Sequence, residues 1–429
     1  MKITIRSIEK GFAIFTLILL TDAMSFRSLF VASEGSTGAG STVSPFDSFV
    51  AVSQYLIFII TVFLLVISWK SVIRVTLSNI FVPIFALIVL CSTGWSDFPE
   101  ITQRSSLIFF ATTIFGVYLA ARYSIKEQLN LVAISLGIVA VISLFLCLAF
   151  PGSAIENSSL RQGTWRGPFY NKNNLGLFMY IGAITLLLTS LNHKKYYLIP
   201  WFFCGLSFAL IVLANAKTSL IIFFILIMLI PLCHALRWSK GLAIPFFIST
   251  AIIFGSVIIW FIDSSGEILI GLGKDPSLSG RTYIWQAVLD SIFERPWLGY
   301  GYEAFWVADG PKCLGECLYV RSAVHFNATS AHNGYLDLTV SLGFVGLAIF
   351  LLSLLVAYRQ SVAWVRRTST SEGFWPLLFL TSAVLFTQSE SALINSRSFL
   401  WALYVATALS LGRVQAVSKF ANSNLNQSN

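Results

Sequence analysis

The stretch whose reading decides the fold opens with Gly280-Arg281-Thr282-Tyr283-Ile284-Trp285. It continues through Arg295-Pro296-Trp297-Leu298-Gly299-Tyr300-Gly301-Tyr302 and His332-Asn333-Gly334-Tyr335 to Gly343-Phe344-Val345-Gly346. Most of this stretch is polar, yet the chain around it is strongly apolar. Of 429 residues, 56% are hydrophobic and 11% are charged, and the mean hydropathy is +0.79. A soluble domain carries about 25% charged residues, so this chain belongs in a bilayer. The 37 Phe and 12 Trp suit helices that face lipid, with aromatic belts at the interfaces. The polar stretch reads as the working part and the apolar spans as its mount.

A spanning helix needs about 20 mostly apolar residues. That rule predicts twelve helices, near 11–31, 49–69, 73–91, 105–121, 129–150, 173–191, 196–213, 218–236, 242–262, 334–358, 374–392 and 397–413. The first contains Asp22 and Arg27 and is the weakest. Residues 33–44 read as a flexible loop, and the Asn/Ser-rich end after Lys419 as a disordered tail. No internal repeat stands out. Basic residues favour the cytoplasmic ends of spans. With the N-terminus inside, more than half of the 28 Lys and Arg fall on the cytoplasmic side. The expected order is transmembrane helices 1–9 in residues 1–262, an extracytoplasmic catalytic loop over 263–333, helices 10–12 in 334–413, and a cytoplasmic tail over 414–429. The basic N-terminus before an apolar run resembles a signal peptide but lacks a persuasive cleavage site, so it reads as an uncleaved first helix.

Composition also argues against other classes. The net charge of +9 does not form one basic stripe, which argues against nucleic acid. No four Cys/His ligands stand at zinc spacing, and neither a nucleotide-binding G-x-x-x-x-G-K-[ST] nor a paired Asp-x-Asp is present. Cys313 and Cys317 lie four apart in the polar loop. They are either a local disulfide, which needs an oxidising compartment, or two free thiols.

Within the loop, apolar residues at Ile284, Val288, Leu289, Ile292 and Phe293 recur at helical spacing from Arg281 to Glu294, and Pro296 ends the run. This predicts a helix lying on the membrane surface, with Trp285 and Trp297 at headgroup depth and Ser279 or Thr282 as its cap. Arg281 at its start is either an anion ligand, aided by the helix N-terminus, or a snorkelling interfacial arginine. His332 suits proton transfer near neutral pH, or is a satisfied interfacial histidine. Asp337 either orients it or lines a polar cavity. Arg166, Lys172, Asn173 and Asn174 form a patch suited to phosphate or sugar hydroxyls, or an ordinary loop that anchors two helices. Lys217 at a helix start suits a phosphate or snorkels. Glu390 and Arg397 read as an ion pair. Cations thus cluster on the outer face around one histidine, where no ATP is supplied. The substrate must arrive activated, and a lipid-linked diphosphate has that form.

The chain resembles the O-antigen ligase and polymerase superfamily (Wzy_C-like), most closely exopolysaccharide polymerases of the rhizobial, ExoQ-like type. Three motifs carry the likeness: Gly280-Arg281-Thr282 through Trp285 with Arg295-Pro296 and Gly299-Tyr300-Gly301; His332-Asn333 followed after nine residues by Gly343-x-x-Gly346; and Arg166-Gly167 to Asn173-Asn174-Leu175-Gly176. The likeness is good over roughly 160–350 and rests on topology elsewhere. It implies an all-α, GT-C-like polytopic fold and metal-independent, inverting glycosyl transfer without a cofactor. It implies that Arg281 holds the donor diphosphate, that His332 acts as base or positions the acceptor, and that Arg166 contacts the donor phosphates. Lys217 stands where relatives often carry arginine, keeping the charge but not the bidentate fork. Lys172, Asn173, Asn333, Arg321 and Asp337 complete the implied substrate-binding set.

The implied partners are an undecaprenyl-diphosphate-linked oligosaccharide, the bilayer, a chain-length regulator and a flippase. The implied location is the bacterial inner membrane, with both termini cytoplasmic and the active face periplasmic. The motifs do not separate a polymerase of lipid-linked repeat units from a ligase that moves the polymer to lipid A–core or protein. A secondary transporter would instead predict inverted repeats and broken helices with charge at the midplane.

Overall fold

The computed structural model describes residues 5–30, 44–156, 163–191, 198–237, 281–307 and 330–412. Most of them are helical. The helices are α1 (Ile5–Leu20), α2 (Asp47–Ile67), α3 (Trp69–Thr76), α4 (Phe81–Cys91), α5 (Pro99–Arg122), α6 (Ile125–Ala149), α7 (Lys172–Ser190), α8 (Leu198–Leu213), α9 (Lys217–Ala235), α10 (Arg281–Glu294), α11 (Gly334–Arg367), α12 (Trp375–Thr387) and α13 (Phe399–Gly412). One two-residue hairpin, β1 (Ile155–Glu156) against β2 (Thr164–Trp165), interrupts them before α7. Among the described residues, six helices are long and apolar enough to cross a membrane, or eight if each of two bent pairs is one span. The chain is a polytopic, mostly helical membrane protein.

Most predicted spans coincide with helices. Those at 196–213, 374–392 and 397–413 correspond to the shorter α8, α12 and α13. The one at 242–262 lies outside the described residues, as do Arg321, Cys313, Cys317 and most of the 263–333 loop.

Two expectations need correction. Residues 73–91 are not one helix. They fall on α3 and α4, which with its last turn meets α3 at a bend of 92°. Ser78 and Asn79 at the break spend their side chains on carbonyls of other helices and on the end of α3, where Ser78 Oγ also donates to the Val75 carbonyl (2.6 Å). Asn79 Nδ2 donates to the Ser353 carbonyl (3.0 Å), and Ser78 Oγ to that of Leu409 (2.8 Å). Such side chains compete with the helical ladder, and Pro83 is tolerated because it falls in the first turn of α4. The first span also breaks. Asp22 and Phe26 both take positive φ (63° and 44°), and the chain turns by 71° between α1 and Ala23–Phe30. Arg27 there pairs with Asp22 (2.7 Å) and Asp47 (3.1 Å). Charges at membrane depth need such partners, and the turn brings them together.

α7 is the centre of the bundle and packs against α6, α8 and α9. Gly176 lets α9 approach closely, since a Cβ there would lie 2.4 Å from Ala216 Cβ. Small residues at such crossings are the usual device where lipid supplies no hydrophobic drive between helices. Buried hydroxyls return to their own ladder, as Ser135 does to the Leu131 carbonyl and Ser143 to that of Val139 (both 2.8 Å). That leaves few polar groups seeking partners in lipid.

The polar stretch is built into this bundle by an exchange of hydrogen bonds. At Gly343 the backbone of α11 leaves helical geometry (φ 65°, ψ −172°). In a continuous helix, Phe344 and Val345 N–H would bond the Val340 and Ser341 carbonyls, four residues back. Here segment 296–301 is inserted between them. Phe344 N donates to the Pro296 carbonyl (2.7 Å) and Val345 N to that of Trp297 (3.2 Å). The vacated carbonyls of Val340 and Ser341 accept from Tyr300 N (3.0 Å) and Gly301 N (2.9 Å). On its other side the segment is held by the link between α4 and α5. Trp95 Nε1 donates to the Leu298 carbonyl (2.8 Å), and Arg295 pairs with Asp97 (2.7 Å). Two of the quoted motifs therefore form one splice that fixes α10 against α11.

Candidate functional site

α10 follows the predicted pattern in part. Ile284, Val288 and Ile292 are buried with Tyr300, Ala331 and Val340, while Leu289, Phe293 and Trp297 are exposed. Trp285 is half-buried. Its Nε1 donates to the Ala331 carbonyl (2.8 Å), which ties the helix carrying Arg281 to the residue before His332. The predicted cap at Ser279 lies outside the described residues.

His332 precedes α11 with φ 48°, a left-handed conformation uncommon for a residue other than glycine. It is held from both sides. Ala331 N donates to Asp337 (3.0 and 3.2 Å to its two oxygens). Asn333 caps α11, its side chain accepting from Tyr335 N (3.1 Å) and Leu336 N (3.3 Å). Asn333, expected to touch substrate, thus has its oxygen committed to the helix. Asp337 also accepts from Trp306 Nε1 (2.8 Å) and Ser391 Oγ. It holds the backbone beside the histidine and lines a cavity.

The imidazole and the guanidinium meet on one carboxylate. Glu390, in the turn after α12, places Oε2 3.4 Å from His332 Nδ1 and Oε1 3.9 Å from an Arg281 nitrogen. Asn173, in the first turn of α7, donates to the same Oε1 (2.7 Å). Three segments distant in sequence therefore converge on Glu390. The Arg281 and His332 side chains remain about one-third exposed (30% and 33%). Beside them opens a cavity of about 640 Å3, bordered by Ser330, Gly334, Asp337, Glu390, Asn174 and Trp306. Lys172 Nζ reaches the Asn215 carbonyl (3.4 Å), two residues before the exposed Lys217. Both lysines thus stand where the starts of α7 and α9 adjoin.

Arg166 is placed otherwise than expected. It is 5% exposed, and its guanidinium donates to the carbonyls of Ser153 (3.0 Å), Tyr170 (3.2 Å) and Ser28 (3.1 Å). Burial holds it below its ordinary pKa, opposed by Glu156. It cross-links the hairpin, the start of α7 and the turn after α1, so the expected phosphate contact does not fit this geometry. Glu390 is the site residue that sequence reasoning misses. Its signal there is slight: an acid in a polar turn between two apolar runs, which reads as a partner for Arg397.

An imidazole with Nδ1 facing a carboxylate keeps Nε2 for accepting a proton. A part-exposed guanidinium nearby can hold an anion. Such a pair on a mostly helical membrane protein is suited to group transfer from an anionic leaving group, and the known proteins that the chain is similar to act in glycan production and transfer by their names. Residues 202–351, which include Arg281, His332, Gly343 and Gly346, match the family described as O-antigen ligase. The resemblance carried by the motifs therefore stands. The chain is 22% identical over 307 residues to the exopolysaccharide production protein ExoQ of Rhizobium meliloti, covering 69% of this chain and 68% of that one. It is 28% identical over 232 residues to a ComP-specific O-oligosaccharyltransferase of Acinetobacter baylyi, covering 51% and 40%. It is 35% identical over 81 residues to a putative polysaccharide ligase of Rickettsia prowazekii, covering 19% and 20%.

Proposed function

We propose that this chain is a glycosyltransferase that polymerises lipid-linked oligosaccharide repeat units in exopolysaccharide or O-antigen synthesis. The observation that carries this reading is the meeting of Arg281 and His332 on the Glu390 carboxylate, beside a cavity large enough for sugar rings. A likeness over 69% of this chain, to an exopolysaccharide production protein, supports a role in making the polymer. The names of two other relatives favour a second reading, a ligase that moves finished glycan to lipid A–core or to protein.

The reaction is an inverting displacement. An acceptor sugar hydroxyl in the cavity attacks C1 of the donor's reducing-end sugar. As that bond forms, the bond from C1 to the phosphate oxygen breaks, and the hydroxyl proton passes to His332 Nε2. The polyprenyl diphosphate leaves with its charge held by Arg281, while Lys172 and Lys217 at the adjoining helix starts draw the anionic donor toward the site from a more exposed position. Fixed positive charge aimed where negative charge develops is usually the largest single catalytic contribution.

The reading includes a twelve-span, GT-C-like arrangement in the bacterial inner membrane, with both termini cytoplasmic and the site periplasmic. The catalytic loop over 263–333, with Arg321, belongs to that arrangement, as does an undecaprenyl carrier brought across by a flippase. A chain-length regulator would act on the product. The test is incubation of the purified protein with a synthetic polyprenyl-diphosphate oligosaccharide, with and without chelator. Chain growth that survives chelator supports the reading. Absence of growth with every acceptor offered, including lipid A–core, overturns it.

A further inference from the structure

From the geometry around the turn after α12, we infer that Glu390 is a positioning residue for this transfer: it fixes the tautomer and direction of the His332 ring through Nδ1. The inference rests on the proposed function and assigns a residue that neither the motifs nor the family match contains, since the match ends at 351.

Three observations carry it. First, Glu390 is not a loose surface acid. Its N–H donates to the Phe386 carbonyl at the end of α12 (3.0 Å), and its side chain is 19% exposed. The turn it sits on is fastened at three further points. Ser391 bonds Asp337, Tyr302 Oη donates to the Ile394 carbonyl (2.7 Å), and Ser396 N donates to Glu303 (2.9 Å). Second, the two carboxylate oxygens are divided. Oε1 takes the short bond from Asn173 (2.7 Å), which aims Oε2 at the histidine. Third, the backbone of 331–333 is clamped by Trp285, Asp337 and the Asn333 cap, so ring rotation is the freedom left to His332. A carboxylate at Nδ1 removes it, holds the proton on Nδ1 and leaves Nε2 as the proton-accepting nitrogen. That is the general logic of a base oriented by a third group.

A rival role fits the same contacts. Arg281 lies 3.9 Å from Glu390, within Coulombic range but beyond a hydrogen bond. Glu390 could therefore be a resting counterion that the donor diphosphate displaces. The two roles predict opposite kinetics.

The experiment uses the purified full chain with a polyprenyl-diphosphate oligosaccharide. Glu390→Gln keeps the shape of the side chain but removes its charge. A positioning role predicts a kcat loss of about 10²-fold, at the low end for a positioned base, with donor KM within about 2-fold. A kcat near wild type with a lowered donor KM overturns it in favour of the counterion. Asn173→Ala, which frees Oε1 without touching the carboxylate, should lower kcat several-fold; an unchanged kcat there also counts against the inference.

A second readout separates positioning from mere folding. His332→Gly removes the imidazole and suits the positive φ. Added imidazole should restore transfer in His332→Gly but not in His332→Gly/Glu390→Gln. Equal rescue in both overturns the inference. Failure of the wild-type protein to transfer glycan would instead overturn the proposed function itself.

Discussion

Gly343 touches Trp297 so closely that a Cβ on Gly343 would lie 2.1 Å from the Trp297 carbonyl oxygen. This contact makes the splice between α10 and α11 possible, and its residue cannot be larger. Gly343→Ala adds the clash and forces a non-glycine residue into φ 65°, ψ −172°. The variant should lose about 3 kcal/mol or more of stability. Thermal unfolding in detergent measures this. An unchanged melting temperature would mean that the splice does not form.

Arg166 should behave as a structural cross-link. Replacing it with Met removes three charge-assisted bonds to carbonyls, at a cost of about 2–4 kcal/mol. The surviving folded protein should keep its donor KM. A raised donor KM with unaltered stability would return Arg166 to the donor site, where the resemblance placed it.

Asp337 accepts from Trp306 Nε1, Ala331 N and Ser391 Oγ. Asn at this position keeps one oxygen for Trp306 Nε1 and Ala331 N, loses the second acceptor and the charge, and forces the Ser391 hydroxyl to reverse from donor to acceptor. Asp337→Asn should cost about 1–3 kcal/mol and lower kcat, because the turn carrying Glu390 loses its charged tie to α11. Ser391→Ala, which leaves Asp337 two partners, should do less of both. The paired melting temperatures and rates check this order.

Lys172 and Lys217 are exposed or half-exposed, so each contributes little to binding. Exposed charge contacts are worth at most about 1 kcal/mol. Each Lys→Ala change should raise the donor KM by up to about 5-fold, less at high salt, with kcat little altered. A loss of kcat as large as that of Arg281→Ala would place a lysine directly on the leaving group.

The apolar runs make most of the helices legible, because length and hydropathy are local properties. The break at Ser78–Asn79 is less so. Its cause is a bond from Asn79 to Ser353, which no local pattern records. Arg281 and His332 stand out by residue type and place, but the motifs that flank them mix two kinds of residue. Gly343 and Gly299 are there for backbone geometry, and Arg295 for Asp97 and the Tyr300 ring, which it overlies at 4.6 Å. Arg166 misleads for the same reason: a charged residue in a motif reads as a ligand when it is a cross-link. Glu390 escapes notice because its partners, His332, Arg281 and Asn173, come from segments far from it in sequence.

The most direct test of the account is the rate of chain growth per inserted molecule for Arg281→Ala beside wild type, on a polyprenyl-diphosphate oligosaccharide. Loss of one fixed charge facing a leaving anion predicts a fall of about 10²–10³-fold or more, with insertion and melting temperature unchanged. Polymer formed at the normal rate by that variant would contradict the assignment of Arg281 to the diphosphate, and with it the common site shared with His332.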